Sequence, residues 1–261
     1  MNPTLPGRLR LVLPPLVVGL AGLLLWQFVV VAGRIATFVL PSPVAIARAF
    51  GTVASDVVTA AVATGTTALI GLVAGSLAGV VAAILAARLR LFDEVLTPLS
   101  AAANAMPIIA LAPVFNAMFG STSPVPRRLV VAVAVFFPLF VNTARGLRQV
   151  NPVHAELMRS LAVSGWSVTR HVRLPAAVPF LFTGLRLASS LSVIAAVVAE
   201  YFGGRQDGLG SRITSAASNT AYPRAWSYVL GAVVLGLVFY LVALLLERFL
   251  SPHTPTSRRS S

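Results

Sequence analysis

Residues 151–186 read NPVHAELMRSLAVSGWSVTRHVRLPAAVPFLFTGLR, a short basic and amphipathic segment set between two long apolar stretches. Its local grammar predicts two helices. Asn151 is placed to cap the first, and Pro152 suits its first turn. Val153, Leu157 and Leu161 recur at i, i+4 and i+8 as one apolar stripe. Ser164-Gly165 marks a stop and restart, because glycine tolerates the left-handed backbone that ends helices. Val168 and Val172 give a second stripe, which Leu174-Pro175 is expected to end. Two small helices and a cluster of arginines kept between apolar spans are expected to hold something in the cytosol.

The composition around this segment is that of an integral membrane protein. Hydrophobic residues make up 57% and charged residues 10%, with a mean hydropathy of +0.88. Soluble domains carry about 25% charged residues, so this chain cannot present an ordinary solvated surface. All 20 basic residues are arginine, and the net charge is +13. In a membrane protein such an excess reflects loops drawn to anionic lipid rather than nucleic-acid binding. Cysteine is absent, which excludes disulfides, thiolate metal sites and cysteine nucleophiles. The three histidines, His154, His171 and His253, all lie in polar segments, so a histidine metal centre within the membrane is not expected.

Windows of about 20 apolar residues predict a single all-α domain over 1–261 with six spans, near 11–32, 57–87, 95–119, 129–147, 177–200 and 226–249. The first apolar run exceeds the roughly 7–15 residues of a signal-peptide core and reads as a retained span. Pro43 to Phe50 is expected to form a separate short surface helix, and 251–261 a polar tail. With both termini in the cytosol, the outer segments hold Arg34, Arg48, Arg127, Arg128, Arg205, Arg212 and Arg224, and the other 13 arginines lie inside. That split follows the positive-inside rule, although Arg127-Arg128 stands against it.

Several constellations stand out within the spans. Gly71, Gly75 and Gly79 form a small-residue seam, read as packing inside one subunit in preference to a dimer contact. Pro98, Pro107 and Pro113 interrupt the third span, which also holds Asn104 and Asn116. Freed carbonyls at membrane depth need neighbours or a water-lined cavity, so the span is either a gate or a kinked packed helix. Asn142 with Pro138 repeats the theme, and Ser189, Ser190 and Ser192 lie in the fifth span, where serines commonly bond their own backbone. Arg186 is the charged residue inside an apolar run and is expected to snorkel to the interface. Glu200 could pair with Arg205 or Arg212 at the outer mouth, or be an ordinary exposed ion pair. Gly208-Leu209-Gly210 precedes a small amphipathic helix near 211–221, and no G-x-x-x-x-G-K-[ST] loop exists to bind a nucleotide.

Residues 156–175 resemble the cytosolic loop of permease subunits of binding-protein-dependent ABC importers, whose pattern is E-A-A, three residues, Gly, nine residues, I-x-L-P. Glu156 matches the Glu, and Val172-Arg173-Leu174-Pro175 the closing I-x-L-P at the right distance. Leu157-Met158 replaces the Ala pair and Ala162 replaces the Gly. MPIIALAPVFNAMFG (106–120), LPAAVPFLFTGLRLA (174–188), Ala199-Glu200 and Gly208-Leu209-Gly210 are similar to the nitrate, sulfonate and taurine branch, so the resemblance runs over roughly 95–250. It implies the type I importer permease fold, with a second permease copy, a solute-binding protein outside, and two ATPase subunits that carry ATP and Mg. By the same resemblance His154, Glu156, Leu157, Ser160, Leu161, Ala162, Val163, Ser164 and Gly165 would couple to the ATPase. Asn104, Pro107, Pro113, Asn116, Asn142, Ser189 and Ser192 are the candidates for the pathway or gate. Glu200, Arg205, Gly208, Gly210 and Arg212 are those for the outer gate or binding-protein contact.

Two other readings fail on the residues. A membrane-embedded acyl- or phosphotransferase needs carboxylate or histidine groups converging at one depth, and the seven acids lie scattered at span ends. Residues 157–173 have a helix-turn-helix outline, but they are hemmed between spans and lack a third helix.

Overall fold

The computed structural model describes residues 7–89, 108–149 and 163–250, with parts of 92–100 and 156–161. Among them every regular element is helical: α1 (Gly7–Ala32), α2 (Pro43–Ala86), a 3-10 turn (Ile108–Ala110), α3 (Leu111–Phe119), α4 (Val125–Arg148), α5 (Gly165–Val168), a π turn (Thr169–Arg173), α6 (Leu174–Tyr201), α7 (Leu209–Ser218) and α8 (Tyr222–Leu250). Among the described residues, five helical stretches, with 165–201 counted as one, are long and apolar enough to cross a membrane.

Helix α2 runs for 44 residues because Ser42 caps it and Pro43 occupies its first turn. The hydroxyl of Ser42 accepts from the Ala45 N–H at 3.3 Å. No loop separates the expected surface helix from the span. A single non-helical residue, Val53 (φ −122°, ψ 16°), makes the bend instead. At 1.5 Å per residue the helix is about 66 Å long, more than twice the hydrocarbon thickness of about 30 Å. One half therefore lies outside the apolar layer or strongly tilted.

The core forms where α2, α4 and α6 meet, around Ala68, Leu72, Val131, Val135, Leu139, Ala188 and Val193. The glycine seam is what lets α2 lie against α4. A Cβ on Gly75 would strike the Ala132 carbonyl oxygen and lie 3.0 Å from its Cα, and one on Gly79 would lie 2.8 Å from the Phe136 carbonyl oxygen. The seam thus packs within the chain, as its reading anticipated. Helix α1 stands apart and touches the body mainly at its far end. There Trp26 meets Trp226 at 5.6 Å between ring centroids, and Gln27 accepts from the Val44 N–H at 3.3 Å.

One proline behaves differently from its sequence reading. Leu174-Pro175 does not end a helix, and 165–201 continues through it. The π turn closes with the Leu174 N–H donating to Thr169 O, five residues back. That extra residue per turn removes the clash a proline ring makes with the carbonyl four positions earlier. In the third stretch the described residues 108–119 pass from a 3-10 turn into the nine-residue α3. Pro113 is the third residue of α3, where a backbone N–H has no intrahelical partner to lose.

Replacing Gly75 with Val should destabilise the fold by about 1–3 kcal/mol through overpacking against α4. Gly236→Val in α8, where nothing lies within 4 Å of the added carbon, should leave it unchanged. Thermal melting of the detergent-solubilised chain, followed by size exclusion, measures both.

Candidate functional sites at the two ends of the helices

A buried charge cluster closes one end of the body. Glu200, in the last turn of α6, is 1% exposed, and Arg127, in the first turn of α4, is 4% exposed. Arg127 Nη1 lies 3.5 Å from Glu200 Oε1, and its Nη2 donates to Asp207 Oδ1 at 3.1 Å. Thr64 of α2 donates to Glu200 Oε1 at 3.0 Å and accepts from the Leu209 N–H at 2.8 Å. The Gly210 N–H donates to Glu200 Oε2 at 2.7 Å. Thr64 and Glu200 therefore satisfy free N–H groups at the start of α7, which has no side-chain cap of its own. A carboxylate is also favoured there by the helix dipole. Glycines at 208 and 210 are required by this approach, since a Cβ at either position would collide with Glu200 or the Val197 carbonyl.

The partner of Glu200 is thus Arg127, and neither Arg205 nor Arg212 as expected from proximity in sequence. Arg205 instead pairs with Asp207 at 2.8 Å, while Arg212 is exposed on α7. The pairing also explains the arginine that contradicted the charge rule: Arg127 is neutralised inside the protein and is not a loop charge facing lipid. Burial pushes the Asp207 carboxyl up, but hydrogen bonds and charge from Arg127 and Arg205 outweigh it and hold the group below its ordinary range.

At the opposite end lies the loop. Glu156 to Met158 are helical, and Leu161 N–H donates to Leu157 O at 3.1 Å. Ser160 Oγ donates to the same carbonyl at 2.8 Å. Leu157 and Leu161 are 53% and 62% exposed, two large apolar side chains at the tip of a basic segment. Val163 is half-buried. Ser164 caps the next helix, accepting from Ser167 N at 3.4 Å. The restart rests on that cap, because Gly165 does not adopt positive φ. His154 and Ala162 fall outside the described residues. The segment is joined to α2 twice: the Arg88 guanidinium sits 3.9 Å above the Trp166 ring, and Arg173 Nη1 donates to Ala87 O at 3.3 Å. The second contact places a cation at a helix C-terminus, where the dipole favours it. Arg186 does not snorkel alone, since its Nε lies 3.0 Å from Glu247 Oε2.

The pathway candidates are dispersed. Asn104 and Pro107 fall outside the described residues, and Pro113 is exposed on α3. Asn116 donates to Phe202 O at 3.4 Å, beside the loop that carries the charge cluster. Asn142 donates to Pro138 O at 2.8 Å, Ser189 to Arg186 O at 2.9 Å, and Ser192 to Ser189 O at 2.7 Å. Thr64, Arg127 and Asp207 were not among the site residues expected from sequence. Among the described residues no group of three His, Cys, Asp or Glu side chains could hold a metal.

Comparison with known proteins gives this geometry its context. Residues 75–254 match the family of binding-protein-dependent transport system inner membrane components. The chain belongs to this family. It is 31% identical over 245 residues to a probable ABC transporter permease protein of Haemophilus influenzae, covering 93% of this chain and 98% of the relative. It is 32% identical over 235 residues to a riboflavin transport system permease protein of Chloroflexus aurantiacus, covering 87% and 85%. In structure it is similar to an amino acid ABC transporter crystallised with histidines, with a TM-score of 0.63 at 16% identity over 77% of this chain and 96% of that one, which establishes the fold. The protein is therefore a multi-pass permease subunit of an ABC importer and not an enzyme.

Breaking the buried pair tests the first site. Glu200→Leu should cost about 3–5 kcal/mol, because Arg127 is left buried with less compensation. Adding Arg127→Met should restore part of that stability, and melting of the two variants decides it. Asp207 predicts a pH response. Its folded pKa is depressed, so its contribution is complete above the ordinary carboxylate value of about 3.9 and is lost as pH falls through the lower folded value. Melting temperature should show no Asp207-dependent change between pH 8 and pH 5. A fall at more acidic pH should be smaller in Asp207→Asn.

Proposed function

We propose that this permease passes a small polar solute, delivered by an extracytoplasmic binding protein, through a homodimer driven by two ATPase subunits that bind ATP and Mg. The observation that carries the reading is the loop: Leu157 and Leu161 stand exposed beside Glu156, on a segment fastened to α2 by Arg88–Trp166 and Arg173–Ala87. In this reading 152–164 docks into a groove of the ATPase, with both termini in the cytosol. Leu157, Leu161 and Val163 supply the apolar anchor, and His154, Glu156, Ser160, Ala162, Ser164 and Gly165 complete the contact. Asn104, Pro107, Pro113, Asn116, Asn142, Ser189 and Ser192 belong to the pathway or its walls. Glu200, Arg205, Gly208, Gly210 and Arg212 belong to the outer gate, where the binding protein docks.

The solute is a heterocycle of the vitamin or vitamin-precursor type. Relatives named for riboflavin and for formylaminopyrimidine support this class, and others named for aliphatic sulfonates and nitrate mark the competing anionic class. A buried Leu is worth about 1.5–3 kcal/mol, and an unpaired carboxylate in its place costs more. Leu161→Asp should therefore release the ATPase while the permease still inserts, and Ala162→Trp should do so by steric exclusion. Co-purification of the tagged permease with its ATPase in mild detergent measures this. Wild-type stoichiometry and normal uptake in both variants would remove the loop as the coupling element.

A further inference from the structure

A cavity of about 410 Å³ opens at the arginine-rich end of the spans, lined by Val80 of α2, Thr143 of α4, Arg170 of the π turn, and Leu174, Val178 and Leu181 of α6. We propose that it is a binding site for an anionic phospholipid of the adjacent leaflet, with the lipid phosphate on Arg170, an ester carbonyl on Thr143 and an acyl chain along the α2–α6 wall.

Three observations converge on an amphiphile. The walls are apolar apart from two side chains, so the space differs from a hydrated polar site: a water needs two to four polar partners, and apolar cavities stay dry. Thr143 is 2% exposed, and its Oγ1 has no hydrogen-bond partner among the described residues. Other hydroxyls here, such as Thr67 and Thr183, donate to the carbonyl four residues back, and Thr143 does not. An orphan donor in an apolar cavity is matched by an acceptor that brings its own apolar body. Arg170 is exposed and makes no salt bridge among the described residues, so its charge is available at the mouth.

The depths agree with a phospholipid. Thr143 lies five residues inside Arg148, the last residue of α4, hence about 7 Å along the axis. The polar layer on one side of a bilayer is about 5–7 Å thick, so a lipid head group held level with Arg148 brings its ester carbonyls to the level of the hydroxyl. Leu181 lies a further stretch into the membrane on α6, beside Val178, which gives an acyl chain a continuous wall. Trp166 and Arg88, stacked at the same end, are the residue types enriched at that boundary and drawn to anionic head groups.

Native mass spectrometry of the full chain in detergent tests the assignment, with phosphatidylglycerol and phosphatidylcholine of identical chains as probes. Phosphatidylglycerol should be retained about tenfold more, the scale of one charge-assisted contact. Arg170→Gln, an exposed substitution that leaves the fold intact, should bring its retention down to that of phosphatidylcholine. Thr143→Val, nearly isosteric, should lower retention of both lipids. Equal retention of the two lipids by the wild-type chain would overturn the proposal, as would an Arg170→Gln variant that still prefers the anionic lipid. Displacement of phosphatidylglycerol by inorganic phosphate alone would also overturn it, since the site would then bind a free anion.

Discussion

One carboxylate holds four elements together. Glu200 projects from α6 and takes hydrogen bonds from Thr64 of α2 and from the backbone of α7, with Arg127 of α4 beside it. In a chain with so few charged residues, an unpaired buried carboxylate would be severely unfavourable, so each of these elements is confined to the position that satisfies it. Breaking such a cluster from one side is costly, although it adds little compared with an apolar replacement of the whole. Its consequence is registry: α7 can begin only where Gly208 and Gly210 bring its free N–H groups onto the carboxylate.

The glycine seam imposes the complementary constraint. The nearest atoms across the seam at Gly71, Gly75 and Gly79 are the Val131 and Leu139 side chains and the backbone of Arg128, Ala132, Phe136 and Phe140. Close backbone approach supplies dispersion contacts, the main source of helix association where lipid is as apolar as the side chains. The charge cluster sets the axial register of the bundle, and the seam sets how close its helices come.

Much of this was legible in the sequence, and the failures have two causes. Hydropathy marked the long apolar helices, and the four-residue glycine spacing gave the seam together with its intramolecular role. The loop pattern located the exposed Leu157 and Leu161. What escaped was pairing over distance. Arg127 and Glu200 are far apart in sequence, and nearby Arg205 and Arg212 looked like better partners. A signal was present in Arg127, whose side of the membrane contradicted the charge rule; a misplaced arginine is best explained by a buried partner. The continuation through Pro175 escaped for a local reason. Proline reads as a helix end unless a π turn widens the backbone before it, and the TRHVR segment carries no composition cue for that.

The two ends of the molecule meet through the same pair of helices. Thr64 of α2 and Ala87, the residue that follows its last turn, are 23 residues apart, about 35 Å at helical rise, close to the thickness of the apolar layer. At the Thr64 end α2 is tied to α6 by Thr64 and Glu200. At the loop end it receives Arg173, just before α6 begins, while Trp166 holds Arg88. Helices fastened at both ends and packed between them cannot slide past one another without breaking a buried hydrogen bond at one end or a cation contact at the other. The Glu200 contact is dry, whereas Arg88 and Trp166 are exposed and the Arg173 bond is only part-buried. Exposed cation–π contacts are worth about 0.5–1 kcal/mol, and losing a hydrogen bond to a buried charge costs more. Of the two fastenings, the one next to the loop is therefore the first to yield when the helices move, and the Glu200 cluster is the one that resists.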